Sequence, residues 1–510
     1  MGDDDDEPFR KLFTGGSIVF VGEMFGLAIS FLSTLVIGRL LGPDGYGAIA
    51  LGSAALATAS TLVLLGMHTG VGRFLPRYDD PARRRGVLVS AFQLVLPLSL
   101  LAGGGLIVFA EPIAASVFSD EGVAPVLRVF GLAMPFASVE KLAVGGIQGT
   151  KRSTPKVFVE NVTAHITRLV LAVIILALGF DAAGVAWAYV LGHAAAAMLG
   201  MYYLYRYTSL FTRTEATPMH RELLAFSAPL IVSSIMVKIL ADIDTFLLGY
   251  FVSTADVGIY NVLYPLATML TAVLASFGFL FVPILSELHA EGDVAEMKHM
   301  YQLVTKWIFM VSLPIVLVIA LFPELLLRYT YGPDYVEGAF ALSILAVGFF
   351  IHAVAGPNYK TLTAMGNTRL IMYDNIGAAA LNVALNVVLI PRYSYLGASV
   401  ATVISYFLLN VAYSTQLYTR TGIHPFGASL FKPATIAVAS IGTVYLVVTS
   451  LVTVTVFVFV PLFALFLAIH AVVTLRFGGI EREEVLLLLD LEERLGVDLG
   501  PAKAVAKRLL

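Results

Sequence analysis

GRLLGPDGYG, Gly38–Gly47, joins two apolar stretches long enough to cross a bilayer, and does so with four glycines and a proline. A related stretch, GYFVSTADVG, returns at Gly249–Gly258, so that Gly38 and Gly47 recur as Gly249 and Gly258 at an offset of 211. Glycine reaches the backbone angles that a short turn demands. Each stretch therefore predicts a tight turn between two membrane helices, built once in each half of the chain.

Around these turns the composition leaves little choice of class. Of 510 residues, 58% are hydrophobic and 13% charged, with a mean hydropathy of +0.86. A soluble chain carries about a quarter charged residues, so this is read as an all-α integral membrane protein. A hydrocarbon core about 30 Å thick takes about 20 apolar residues per helix. Breaks at charged, proline and glycine clusters predict fourteen spans, near 15–40, 46–70, 86–110, 123–147, 157–179, 183–204, 223–249, 257–284, 301–321, 339–365, 370–390, 397–418, 432–450 and 453–475. The predicted organisation is a tail (1–14), a first lobe of six spans (15–204), a linker (205–222), a second lobe of six (223–418), two further helices (432–475) and an amphipathic tail (476–510).

Charge placement orients these spans. With the first tail inside, 24 of the 32 lysines and arginines fall on the cytoplasmic side and only Arg39, Arg328 and Arg392 on the other. That bias predicts cytoplasmic termini. MGDDDDEPFRK is acidic and the apolar run after it too long for a cleavable signal, so the first span is expected to be retained. The duplication extends past the turns: Glu111-Pro112 meets Pro323-Glu324, and GVAWAYV from Gly184 meets GASVATV from Gly397 at an offset of 213. Six spans per half is an even number, which makes the halves parallel repeats about an axis along the membrane normal.

There are no cysteines, no phosphate-binding G-x-x-x-x-G-K-[ST] loop and no H-E-x-x-H, so thiol chemistry is excluded and no enzyme, cofactor, metal site or nucleic-acid partner is expected. What remains is a short list of charges inside spans, where each is costly without a partner or a wet cavity. Lys141, Arg168, Lys238 and Lys360 are the predicted cationic cavity. Glu23, Asp242 and Asp244 are the candidates for ion coupling or ion pairing. Lys238 and Asp242 lie four apart, on one helix face, and can pair. Lys141 and Lys360 stand eight residues before Gly149 and six before Gly366, one base from each half; near a helix end either can instead snorkel to the headgroups. Asp242 and Asp244 can equally tie their helix to a neighbour, and Glu23 is either an ion site or the partner of Arg168 or Lys238. His193 and His352 read as packing residues.

TLVIGRLLGPDGYGAIAL (Thr34–Leu51) and ADIDTFLLGYFVSTADVGIYNV (Ala241–Val262) resemble the polysaccharide and lipid-linked oligosaccharide flippases of the multidrug/oligosaccharidyl-lipid/polysaccharide exporter superfamily. The resemblance implies transfer of a polyprenyl-phosphate- or pyrophosphate-linked glycan between leaflets of a prokaryotic plasma membrane. The implied partners are the lipid-linked glycan, membrane lipid and a proton or sodium ion, with the chain acting as a monomer. A cation or drug exporter of the same fold should carry a net acidic cavity, whereas here deep bases match or outnumber deep acids. A major facilitator is suggested only by the loose VGRFLPRYDDPARRRG (Val71–Gly86).

Overall fold

Aspartates mark where several of the helices begin. In the computed structural model, which describes residues 6–425 and 428–476, Asp80 accepts from the Ala82 amide (3.1 Å) ahead of helix Pro81–Val108. Asp181 accepts from Gly184 (3.1 Å) ahead of Ala182–Tyr207, and Asp293 from Glu296 (3.0 Å) ahead of Val294–Leu321. Each satisfies an amide that the first turn of a helix leaves without a partner.

Among the described residues eleven helical paths are long and apolar enough to cross a membrane, two of which each hold two of the fourteen expected spans, and helix His220–Phe251 lies at the span expected at 223–249. The two spans expected at 15–40 and 46–70 form one path, Asp6–Leu64, in which only Gly42 leaves helical geometry (φ 71°, ψ 178°). Those expected at 370–390 and 397–418 likewise merge into Thr368–Thr421, broken at Ser394 (φ 51°, ψ −136°). The turn thus takes one residue rather than ten. At Gly42 the missing side chain makes the left-handed angle cheap; at Ser394 the hydroxyl is held by Asp256. The span expected at 339–365 divides at Gly356 into Ala339–Ala355 and Pro357–Ala364, so Pro357 starts a helix instead of bending one. The span expected at 157–179 carries a π turn, Phe158–Thr163, between Ser153–Val157 and Ala164–Ala177. The loop expected at 322–338 holds the helix Pro323–Thr330. The predicted amphipathic tail, beyond Arg476, lies outside the described residues.

The helices pack into two compact units. One runs to Met269 and takes in 326–349 and 367–412; the other comprises 270–325, 350–366 and the described chain from Tyr413. In the second unit Phe322 packs with Ile441, Leu462 and Phe466, joining helix Val294–Leu321 to Ala428–Leu451 and Val456–Arg476.

In the first unit the two glycine turns meet. A Cβ placed on Gly47 would run into the carbonyl of Thr254 and lie 3.0 Å from the Gly258 nitrogen; one on Gly258 would run into the carbonyl of Pro43 and lie 3.0 Å from the Gly47 nitrogen. The flanking glycines repeat the exchange. A Cβ on Gly38 would come within 3.4 Å of Val262 and 3.2 Å of the Tyr331 ring, and one on Gly249 within 2.9 Å of Leu51 and of Phe118. Pro43 and Thr254, Leu51 and Val262, and both glycine pairs are all 211 apart. The duplicated turns therefore pack on each other about an internal twofold relation.

Polar bonds pin this seam. Tyr335 donates to the Gly38 carbonyl (2.8 Å), and Thr254 Oγ1 to Asp120 Oδ2 (2.5 Å). Arg39 donates to the carbonyls of Tyr329 (2.5 Å) and Thr330 (2.8 Å) at the end of Pro323–Thr330, where a cation also meets the negative end of the helix dipole.

Gly47→Ala and Gly258→Ala should destabilise the protein to a similar extent, by about 1–3 kcal/mol for overpacking a closed contact. Gly104→Ala, where a Cβ would meet nothing within 4 Å, should be neutral or stabilise by about 0.5–1 kcal/mol. Denaturation of the purified variants in detergent checks this, and full tolerance at Gly47 would rule out the tight seam.

Candidate functional site

The first unit encloses a cavity of about 730 Å³ whose walls carry Lys141, Lys156, Arg168 and Lys238. Four helical segments supply them: Val123–Gly149, Ser153–Val157, Ala164–Ala177 and His220–Phe251. Three of the four bases predicted from sequence are thus brought together, and Lys156, assigned from sequence to a loop, joins them. Lys360, the fourth, lies in the second unit on Pro357–Ala364, its Nζ 5.7 Å from the ring centre of Tyr359.

The lysines and the arginine are held differently. Lys141 Nζ is 3.1 Å from Glu160 Oε1 and Lys156 Nζ is 3.7 Å from Glu160 Oε2, so one carboxylate bridges two ammonium groups. Of the two dispositions open to Lys141, this is the inward one, bonded at the cavity wall. Lys238 pairs with Asp242 as their spacing predicted. Arg168 has no carboxylate partner among the described residues. It donates to Ser30 Oγ (3.3 Å) and lies 4.9 Å over the ring of Tyr189, and its Nε is buried without a hydrogen-bond partner. A guanidinium carries five donors in a rigid fork, and most of these are unspent. Arg168 is therefore the cation best placed to take an anion without first releasing one.

Glu140 is 3% exposed and bonds His193 Nδ1 (2.7 Å), whose ring reaches the cavity wall. His193, expected to be a hydrogen-bonded packing residue, does make such a bond, and it also lines the site.

The acids predicted for coupling separate into three situations. Glu23 is exposed, while Gly22 and Gly26 on its helix press on Val157 and Asn161. It is the partner of neither Arg168 nor Lys238, which are taken by Ser30 with Tyr189 and by Asp242; helical geometry points the glycine face, not the carboxylate, at the neighbouring helix. Asp242 serves Lys238. Asp244 is 1% exposed and accepts from Tyr260 Oη, Thr402 Oγ1 and Asn386 Nδ2, each at 2.5 Å. Asn386 Nδ2 also donates to Asn382 Oδ1 (3.1 Å), while Asn386 Oδ1 is buried without a partner. Asp244 thus ties His220–Phe251 to Thr254–Glu291 and Thr368–Thr421, and its donors are uncharged.

Sequence reasoning passed over Glu160. Two signals were present: it lies four residues after Lys156, and it is the one acid between Glu140 and Asp181. Its contact with Lys141 depends on the π turn, which no periodicity in the sequence announces.

A family model described as "Polysaccharide biosynthesis protein" matches residues 12–289, which contain the whole cavity, and a second, "MatE", matches 229–388. The chain belongs to the polysaccharide biosynthesis protein family. This family falls within the multidrug/oligosaccharidyl-lipid/polysaccharide exporter superfamily, as the resemblance of the glycine turns implied. The chain is 22% identical over 409 residues to the "Probable low-salt glycan biosynthesis flippase Agl15" of Haloferax volcanii, covering 79% of this chain and 83% of that one. It is 26% identical over 172 residues to the "Uncharacterized membrane protein MJ1068" of Methanocaldococcus jannaschii, and spans only 34% of that protein. Its backbone superposes on the lipid II flippase MurJ in an inward closed conformation with a TM-score of 0.70, at 11% identity over 91% of this chain and 98% of that one. At that identity the likeness establishes the fold.

Asp244→Ala leaves three buried donors without an acceptor, and should cost about 1–3 kcal/mol of stability. Asp242→Ala removes one partly exposed ion pair and should cost no more than about 1 kcal/mol. Melting curves of the two variants check the ranking; the reverse order would mean that Asp244 does not tie the three helices.

Proposed function

We propose that this protein is a flippase that carries a polyprenyl-phosphate- or pyrophosphate-linked glycan from the cytoplasmic to the outer leaflet of a prokaryotic plasma membrane by alternating access. One observation carries the reading: Lys141, Arg168 and Lys238, from three helices, line one cavity, and Arg168 there has no carboxylate partner among the described residues. Phosphoryl oxygens are bound by such cations through charge-assisted hydrogen bonds, with the guanidinium fork giving the most geometric specificity. A volume of about 730 Å³ falls within the range of about 300–1,000 Å³ usual for small-molecule sites. It takes a pyrophosphate and the first sugars, while a polyprenyl tail stays in lipid. The likeness to a glycan flippase over most of both chains supports the same substrate class.

The direction of transfer has a physical source. A headgroup of charge −2 moving outward across about 100 mV, inside negative, gains about 4.6 kcal/mol if it crosses the whole field. Where an ion is coupled as well, Asp244 is the carboxylate to hold it, as a proton or as a sodium ion among the oxygens of Asp244, Thr402 and Asn386. The chain acts as a monomer with both termini in the cytoplasm.

In a strain lacking the gene, complete glycan-lipid should accumulate on the cytoplasmic leaflet and surface glycan should fall. Loss of drug or cation resistance with unchanged glycan would assign the protein to the exporters instead. Among complementing variants, Arg168→Ala should restore the least surface glycan. Arg168→Lys should stay well short of wild type, because an ammonium cannot replace a stacked, forked guanidinium. Lys360→Ala tests the remaining predicted base by the same assay.

A further inference from the structure

Glu160 has no part in the reading above, yet it occupies the place a substrate phosphate would take. Its two oxygens reach different lysines, Oε1 to Lys141 and Oε2 to Lys156, as the oxygens of a bridging phosphoryl group would. It is presented by the π turn Phe158–Thr163, a register shift that costs regular helix hydrogen bonding and recurs at functional sites. Its side chain is 28% exposed and faces the cavity, so it can leave the lysines without entering an apolar environment. Glu140 is the contrast. It is also an acid beside the cavity, but 4% exposed at its side chain and bonded to His193, so it has nowhere to go.

We propose that Glu160 is a built-in stand-in for the substrate phosphate. It neutralises Lys141 and Lys156 while the cavity is empty, yields them to an incoming phosphoryl group, and takes them back as the headgroup departs. This rests on the anionic-headgroup reading of the site. Empty, the cavity avoids the cost of two unpaired, half-desolvated cations. Loaded, the headgroup gains the lysines only against the carboxylate, which weakens binding and speeds release. Arg168, with no carboxylate to displace among the described residues, makes the first contact, and the lysine pair completes it.

A residue that merely ties two helices and a residue that competes with substrate give opposite results when neutralised. Purified wild type, Glu160→Gln and Glu160→Asp are titrated with farnesyl pyrophosphate by calorimetry, and transfer of a fluorescent polyprenyl pyrophosphate is followed in proteoliposomes. Glu160→Gln should bind about three- to tenfold more tightly, the effect of removing a partly exposed competing ion pair, and should transfer the lipid more slowly. Glu160→Asp keeps the charge and should bind nearly as wild type does. Weaker binding by Glu160→Gln, unchanged binding, or its failure to fold would each overturn the inference. If wild type and both variants all ignore farnesyl pyrophosphate while folded, the anionic-headgroup reading itself fails.

Discussion

Everything in the first unit depends on two backbones touching where neither residue has a side chain. Gly47 faces the Thr254 carbonyl and Gly258 the Pro43 carbonyl, with each glycine close to the nitrogen of the other. In lipid there is no hydrophobic force to draw one helix onto another, so close approach of small residues supplies the packing. A Cβ at either position would hold the turns apart, and with them Tyr335, Arg39 and Asp120, whose bonds to Gly38, the end of Pro323–Thr330 and Thr254 all need the turns in register. The glycines are thus required twice. Gly42 bends the chain within one residue, and Gly47 and Gly258 let the two bends nest.

A site with several cations in one apolar protein has an opposite problem. The charges must be kept from repelling one another while empty, yet stay available. The protein answers with carboxylates of graded mobility. Glu140 is buried and fixed to His193; Asp242 sits on the same helix as its lysine; Glu160 reaches across from a π turn to two lysines at once. Among the described residues Arg168 alone of the cavity cations is steadied by neutral groups, a hydroxyl and an aromatic face. The arrangement makes the cavity attractive to an anion without making it a deep trap, which a transporter has to avoid at both ends of its cycle.

The sequence reading succeeded where the determinants are local. Helix limits, the offset of 211 and the four-residue spacing of Lys238 and Asp242 need only composition and period, and the structure places these features accordingly. It fell short where the determinant is a contact between distant segments or a departure from regular helix. The breaks expected between 40 and 46 and between 390 and 397 are there, at Gly42 and Ser394, but their confinement to one residue each leaves almost no mark on hydropathy. Lys156 was assigned to a loop because a proline precedes it. Glu160 lies within the span expected at 157–179 and was passed over among its charges. Glu23 was credited with partners that other groups already satisfy. The donors around Asp244 come from residues up to 158 positions away, which no window of sequence connects.

The duplication also shows how one scaffold acquired two chemistries. GVAWAYV and GASVATV are equivalent stretches at an offset of 213, so Tyr189 in the first half answers to Thr402 in the second. Tyr189 offers the negative face of its ring to the Arg168 guanidinium, whereas Thr402 offers a hydroxyl proton to the Asp244 carboxylate. The same position on the same repeated helix thus stabilises a cation in one half and an anion in the other. Nothing in the seam had to change for this, because the seam is made by backbone and small residues and the divergence by side chains. A duplicated chain that keeps its contacts through glycine is free to vary the charges its helices carry.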